Sequence, residues 1–88
     1  MKHMYKYVIP VQGGDIEVDM PVNTVIQHIG NQSSGEICVW AEVPETELAE
    51  IRTFRTIGTG HEVPPMKFTY VGTVLDGFYV WHLYELTL

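Results

Sequence analysis

The chain has 88 residues, of which 45% are hydrophobic and 11% aromatic, and it carries a net charge of −6. This bounds it to one domain, 1–88, with enough apolar content for a core, and excludes a disordered or tail-like role. Lys2, Lys6, Arg52, Arg55 and Lys67 are the only basic residues besides histidine, too few for the positive face that duplex nucleic acid demands.

Residues 3–9 are rich in β-formers and Pro10 ends the run. Gly13-Gly14 marks a turn. Asp15 to Met20 then alternates, with Ile16, Val18 and Met20 on one face and three acids on the other. That is the period of a strand with one wet face, and it predicts a hairpin with the first strand. Met20-Pro21 breaks the pattern, Val22 to Ile29 resumes it, and Asn31 to Gly35 is a polar turn. Glu36 to Val43 is apolar on both faces, as expected of a central strand.

Pro44 to Glu50 is the one segment with helical features, because proline opens a helix and acids suit its first turn. It predicts a short helical turn near residues 45–50. Ile51 to Ile57 returns to strand. Its period sets Arg52, Phe54 and Thr56 against Thr53, Arg55 and Ile57, so the two arginines point apart. Met66 to Leu75 forms a strand that Gly72 bends or bulges. Asp76-Gly77 signals a two-residue hairpin into a last, aromatic strand, Phe78 to Leu86. The sum is an all-β fold, a small antiparallel sandwich or barrel of about seven strands.

The candidate chemistry centres on Arg52 to His61. A Gly58-Thr59-Gly60 turn lets main chain approach a ligand and aims N–H groups at an anion, while Arg55 offers a planar donor set and His61 a further hydrogen bond. The same glycines equally serve a plain β-turn that needs positive φ. No lysine follows them and no helix stands behind them, so neither a P-loop nor a dinucleotide motif applies. Trp40 and Trp81, with Tyr5, Tyr7, Phe68, Tyr70 and Tyr79, supply rings for a stacking pocket or for the core.

His82 reads as a sheet histidine beside Trp81. The four histidines, His3, His28, His61 and His82, lack ligand spacing, which predicts no metal and no cofactor. Cys38, the only cysteine, lies in an apolar run as an inert buried thiol. No nucleophile context accompanies Ser33 or Ser34, and an enzyme is not expected.

The phrases Tyr5-Lys6-Tyr7, Met20-Pro21, Ile37-Cys38-Val39-Trp40-Ala41, Phe54-Arg55 with Gly58-Thr59-Gly60-His61, Gly72-Thr73, and Val80-Trp81-His82 before Glu85-Leu86 cover nearly the whole chain in order. Together they resemble a family of small proteins encoded mostly by bacteriophages and prophages, a domain of unknown function. The resemblance carries no catalytic residues. It implies a phage accessory context, in which small proteins often antagonise host defence.

The resulting expectation is a non-enzymatic protein that sequesters a small anionic or nucleotide-type ligand through Arg52, Arg55, Gly58, Thr59, Gly60, His61, Trp40, Trp81 and His82. The alternative is a protein–protein inhibitor or virion accessory module using its acidic surface or a sheet edge. Self-association is expected to help so small a domain. With no secretory signal, transmembrane run or lipidation motif, the host cytoplasm is the expected location and no membrane is involved.

Overall fold

The computed structural model describes residues 1–65 and 67–87 and holds seven strands in two antiparallel sheets. The strands are β1 (Lys2–Pro10), β2 (Asp15–Pro21), β3 (Val25–Gly30), β4 (Glu36–Pro44), β5 (Ala49–Gly58), β6 (Phe68–Asp76) and β7 (Tyr79–Leu86). One sheet has the order β1-β4-β3 and the other β2-β5-β7-β6. The shortest extent, 16 Å, accommodates two layers stacked about 10 Å apart. The fold is a small all-β sandwich.

The alternation read from sequence sets which side chains enter. β2 turns Ile16, Val18 and Met20 inward and leaves Asp15, Glu17 and Asp19 exposed. β4 is central in its sheet, as its two apolar faces require, and buries Ile37, Cys38, Val39, Ala41 and Val43. The core joins Ile9, Met20, Ile37, Val39, Phe54, Val74 and Leu83, drawn from both sheets. Each fully buried side chain of this kind stabilises the fold by roughly 1.5–3 kcal/mol.

Four expectations need correction. β1 and β2 do not form a hairpin: β1 pairs with β4 and β2 with β5, so the turn between them crosses from one sheet to the other. No helical turn forms near residues 45–50. The Leu48 carbonyl accepts the Val22 N–H, and Ala49 and Glu50 pair with Pro21 and Met20 as the start of β5. Those hydrogen bonds replace the ones a helical turn would make. The strand expected from Val22 begins at Val25, because Thr24 closes a turn on the Pro21 carbonyl through both its N–H and its hydroxyl, with Asn23 at φ 70°. The strand expected from Met66 begins at Phe68, and Met66 itself lies outside the described residues.

The β6–β7 hairpin forms at the Asp76-Gly77 signal. Asp76 and Tyr79 are its last pair, so Gly77 and Phe78 make the turn. Gly77 has φ 62° and Phe78 is not left-handed, which matches a type II′ turn with glycine first. Asp76 is buried, and its carboxylate accepts the Gly35 N–H at 2.8 Å from the β3–β4 turn of the other sheet.

β6 also carries the expected irregularity. Its register shifts between Tyr70 and Gly72, bulging Val71. Gly72 then faces Ile29 of the other sheet so closely that an added Cβ would fall 2.6 Å from Cδ1 and 3.0 Å from Cγ1 of Ile29. Gly72→Ala is therefore expected to destabilise the protein by about 1–3 kcal/mol, the usual range for overpacking. Ile29→Val in the same chain, which removes Cδ1, should recover most of that loss in urea unfolding. Equal loss in the single and double variants would place the strain elsewhere.

Candidate functional site

The structure separates the residues that the sequence grouped. Arg52 and Arg55 do point apart, and each is held by a carboxylate. Arg52 lies on the inner side of β5, where its Nε and Nη2 donate to the two Glu85 oxygens at 2.5 and 2.7 Å. Its Nη1 donates to the Thr24 carbonyl at 2.6 Å, in the turn that leads from β2 to β3 of the other sheet. The hydrogen bond to Glu85, with the charges of Glu85 and Glu50, raises the Arg52 pKa against the opposing cost of burial. Nearby Tyr7 has its phenol pKa raised by burial first and then by Tyr5, with Arg52 acting the other way.

Arg55 lies on the outer face opposite Asp15, its cross-strand neighbour. Nε and Nη2 reach Asp15 Oδ1 at 2.7 and 2.6 Å, and the guanidinium sits 5.5 Å from the centre of the Phe68 ring. Neither arginine faces the Gly58–His61 turn with a free donor fork.

That turn is a closed piece of main chain. The Thr59 N–H donates to the Val80 carbonyl and the His61 N–H to the Gly58 carbonyl, and Gly60 sits at φ 90°. Gly60 thus meets the need for positive φ. Gly58 meets a different need, space. An added Cβ there would lie 3.0 Å from His61 Nδ1 and 3.1 Å from Trp81 Cζ3. The glycine lets the two rings close over one end of the core.

Around this point the surface is concave. A cleft of about 350 Å³ is lined by Gly58, Thr59, His61, Tyr79 and Trp81, with Phe78 at its rim. Tyr79 and Trp81 stack with centroids 5.6 Å apart and planes 16° from parallel. Both rings come from the inner face of β7, where the hairpin runs on beyond the packed core: Trp81 still packs against the core while Tyr79 is 63% exposed. A second hollow of about 310 Å³ adjoins the same Gly58, His61 and Trp81 from the side of Val11, Gln12 and Gly13. Within the described residues the buried indole N–H of Trp81 has no acceptor.

His82 belongs to the opposite face, as alternation along β7 dictates. Its Nε2 lies 2.8 Å from the Thr59 hydroxyl and its Nδ1 3.1 Å from the Thr73 hydroxyl and 3.4 Å from that of Tyr70. Tyr70 and Thr73 hydrogen-bond to each other. Residues 70 and 73 share a face only because Val71 bulges, the irregularity that Gly72 signals, although Gly72 does not say which side chains the bulge brings together. Trp40 stands apart from all of these. It occupies the outer face of the three-stranded sheet against His28, with centroids 5.8 Å apart. It shares no pocket with Trp81.

The geometry therefore unites Gly58, Thr59, His61 and Trp81 and adds Tyr79 and Phe78. It excludes Trp40, Arg52 and Arg55. A family model with the description Domain of unknown function (DUF7352) matches residues 1–88. The chain belongs to that family. It matches no curated protein and no solved structure. Among the described residues no group of three or more histidine, cysteine or acidic side chains is arranged to hold a metal.

The Arg52–Glu85 pair links the neighbouring strands β5 and β7 of one sheet and lines, with residues of β3 and β6, a separate groove of about 400 Å³. Both side chains are about four-fifths buried, so removing one strands the other's charge. Arg52→Met alone is expected to cost about 2–4 kcal/mol, less than a fully buried pair would lose. Adding Glu85→Leu should return part of this, and a double-mutant cycle read by chemical denaturation measures the coupling. Strict additivity would mean the pair is not coupled.

Proposed function

We propose that this chain is a non-enzymatic accessory protein of phage type that binds a small nucleotide-type ligand, with the ligand's ring in the cleft of Tyr79, Trp81 and His61. The observation that carries this reading is the stacked Tyr79–Trp81 pair lining an open cleft of about 350 Å³. Aromatic platforms of this kind hold a base through its π-face, at about 1–3 kcal/mol per base. The support is for the ring. The guanidinium groups of Arg52 and Arg55 are tied to Glu85 and Asp15, so charge is a lesser part of recognition here than the Arg52 to His61 segment suggests.

A second reading, a protein–protein inhibitor or virion accessory module, draws on the hairpin tip. Phe78 is fully exposed and Leu75 is 72% exposed there, an apolar tip for a partner's surface, while the acidic row on β2 would meet a basic one.

Calorimetry and melting shifts against nucleoside phosphates, cyclic dinucleotides and ADP-ribose separate the two. Binding is expected to raise stability by about 2.7 kcal/mol when ligand is at 100 times its Kd. Tyr79→Ala should weaken affinity roughly 5- to 150-fold, the equivalent of one lost stacking contact, whereas Arg55→Ala should leave it nearly unchanged. A folded protein with no response to any member of the panel overturns the ligand reading. Stoichiometric capture of a host protein, abolished by Phe78→Ser, would then establish the second.

A further inference from the structure

The sandwich has two open edges that lie on the same side and carry opposite charge. β3 packs beside β6 on one side, and the outer strands β1 and β2 of the two sheets are held together at one end by the short connection of residues 11–14. β1 follows β4 through nine consecutive residue pairs without a bulge, and β2 follows β5 through seven. Proline stands only at their ends, at Pro10 and Pro21. Long regular edges of this sort present unpaired N–H and C=O groups to any strand that fits.

The side chains on these edges specify what fits. β1 turns Lys2, Met4, Lys6 and Val8 outward, and β2 turns Asp15, Glu17 and Asp19 outward. Inward, β1 carries His3, Tyr5, Tyr7 and Ile9, while β2 carries Ile16, Val18 and Met20. Two β1 edges would set lysine near lysine, and two β2 edges acid near acid. Only β1 against β2 brings opposite charges together on the outer face and apolar groups together on the inner one.

We propose that this edge is the interface for a second copy of the chain, with β1 of each copy pairing antiparallel with β2 of the other about a twofold axis. Each three-stranded sheet then continues into the second copy's four-stranded sheet, and both open edges close at once. Lys2 and Lys6 are four residues apart, and so are Asp15 and Asp19. In one antiparallel register Lys2 faces Asp19, Lys6 faces Asp15 and Glu17 lies between them. The same register sets Tyr5, which is half exposed in the single chain, beside Ile16. The contacts these lysines make within the chain, Lys2 with Glu42 and Lys6 with Gln32, are at the surface and exchange readily. Lysine on an edge deters indiscriminate strand pairing, so here it selects an acidic strand.

Sedimentation of the full chain over a range of concentrations is expected to show a dimer. Lys2→Glu with Lys6→Glu should weaken it by at least about tenfold, and so should Glu17→Lys with Asp19→Lys, because each sets like charges together across both ladders. An equimolar mixture of the two variants should associate more tightly than either alone, since each supplies the sign the other lacks. All four side chains are exposed, so at dilutions where the parent is itself monomeric the variants should melt near the parent's temperature. Amide exchange of the unaltered chain gives an independent reading: protection of β1 and β2 should fall on dilution while that of β4 and β7 persists. A monomer at every concentration, a dimer indifferent to both variants, or a mixture no tighter than its components would overturn the proposal.

Discussion

Burial shared between the two sheets is the constraint on which the rest of this fold depends. Consecutive strands fall in different sheets at β1–β2, β2–β3 and β4–β5, so hydrogen bonding within a sheet does not by itself hold neighbouring segments in place. Phe54, Ile9, Met20, Ile37, Val39 and Leu83 do, because each is wholly buried against residues of the facing layer. Small domains bury a modest share of their surface, and here that share is concentrated at one layer boundary.

Polar contacts tie the same boundary at both ends. Asp76 on the β6–β7 hairpin accepts the Gly35 N–H from the opposite sheet, and Arg52 reaches the Thr24 carbonyl while paired with Glu85. In an acidic protein with few cations this use of arginine has a consequence. Arg52 and Arg55 are satisfied by carboxylates of their own chain, so the cleft beside Gly58 is lined by rings rather than by guanidinium groups. The Tyr79–Trp81 cleft follows from the hairpin's extension past the core, which leaves the inner face of β7 partly uncovered.

Two local irregularities decide which side chains meet. The Val71 bulge shifts the alternation of β6, bringing Tyr70 and Thr73 onto the face of His82. Gly58, with no Cβ, admits the rings of His61 and Trp81 together at the end of the core. Each is a single residue. Together they separate a polar outer cluster around His82 from an aromatic inner cleft around Trp81.

What the sequence alone determined is whatever depends on local period and local turn chemistry. The clean alternation of Asp15 to Met20, the two apolar faces of Glu36 to Val43, the divergence of Arg52 and Arg55 and the presence of a two-residue hairpin at Gly77 were all legible, although the turn is Gly77-Phe78 rather than Asp76-Gly77 and the last strand starts at Tyr79 rather than Phe78. Each follows from the two-residue repeat of a strand or the torsional freedom of glycine. Strand partners were not legible, and with them went the β1–β2 hairpin, the carboxylates that occupy Arg52 and Arg55, and the grouping of Trp40 with Trp81. The helical turn near residues 45–50 failed for a related reason: its local preference is weak, and the main-chain partners offered by Val22 and β2 are strong. Pairing between strands remote in sequence is set by which edges and faces the core brings together, and only the tertiary structure decides that.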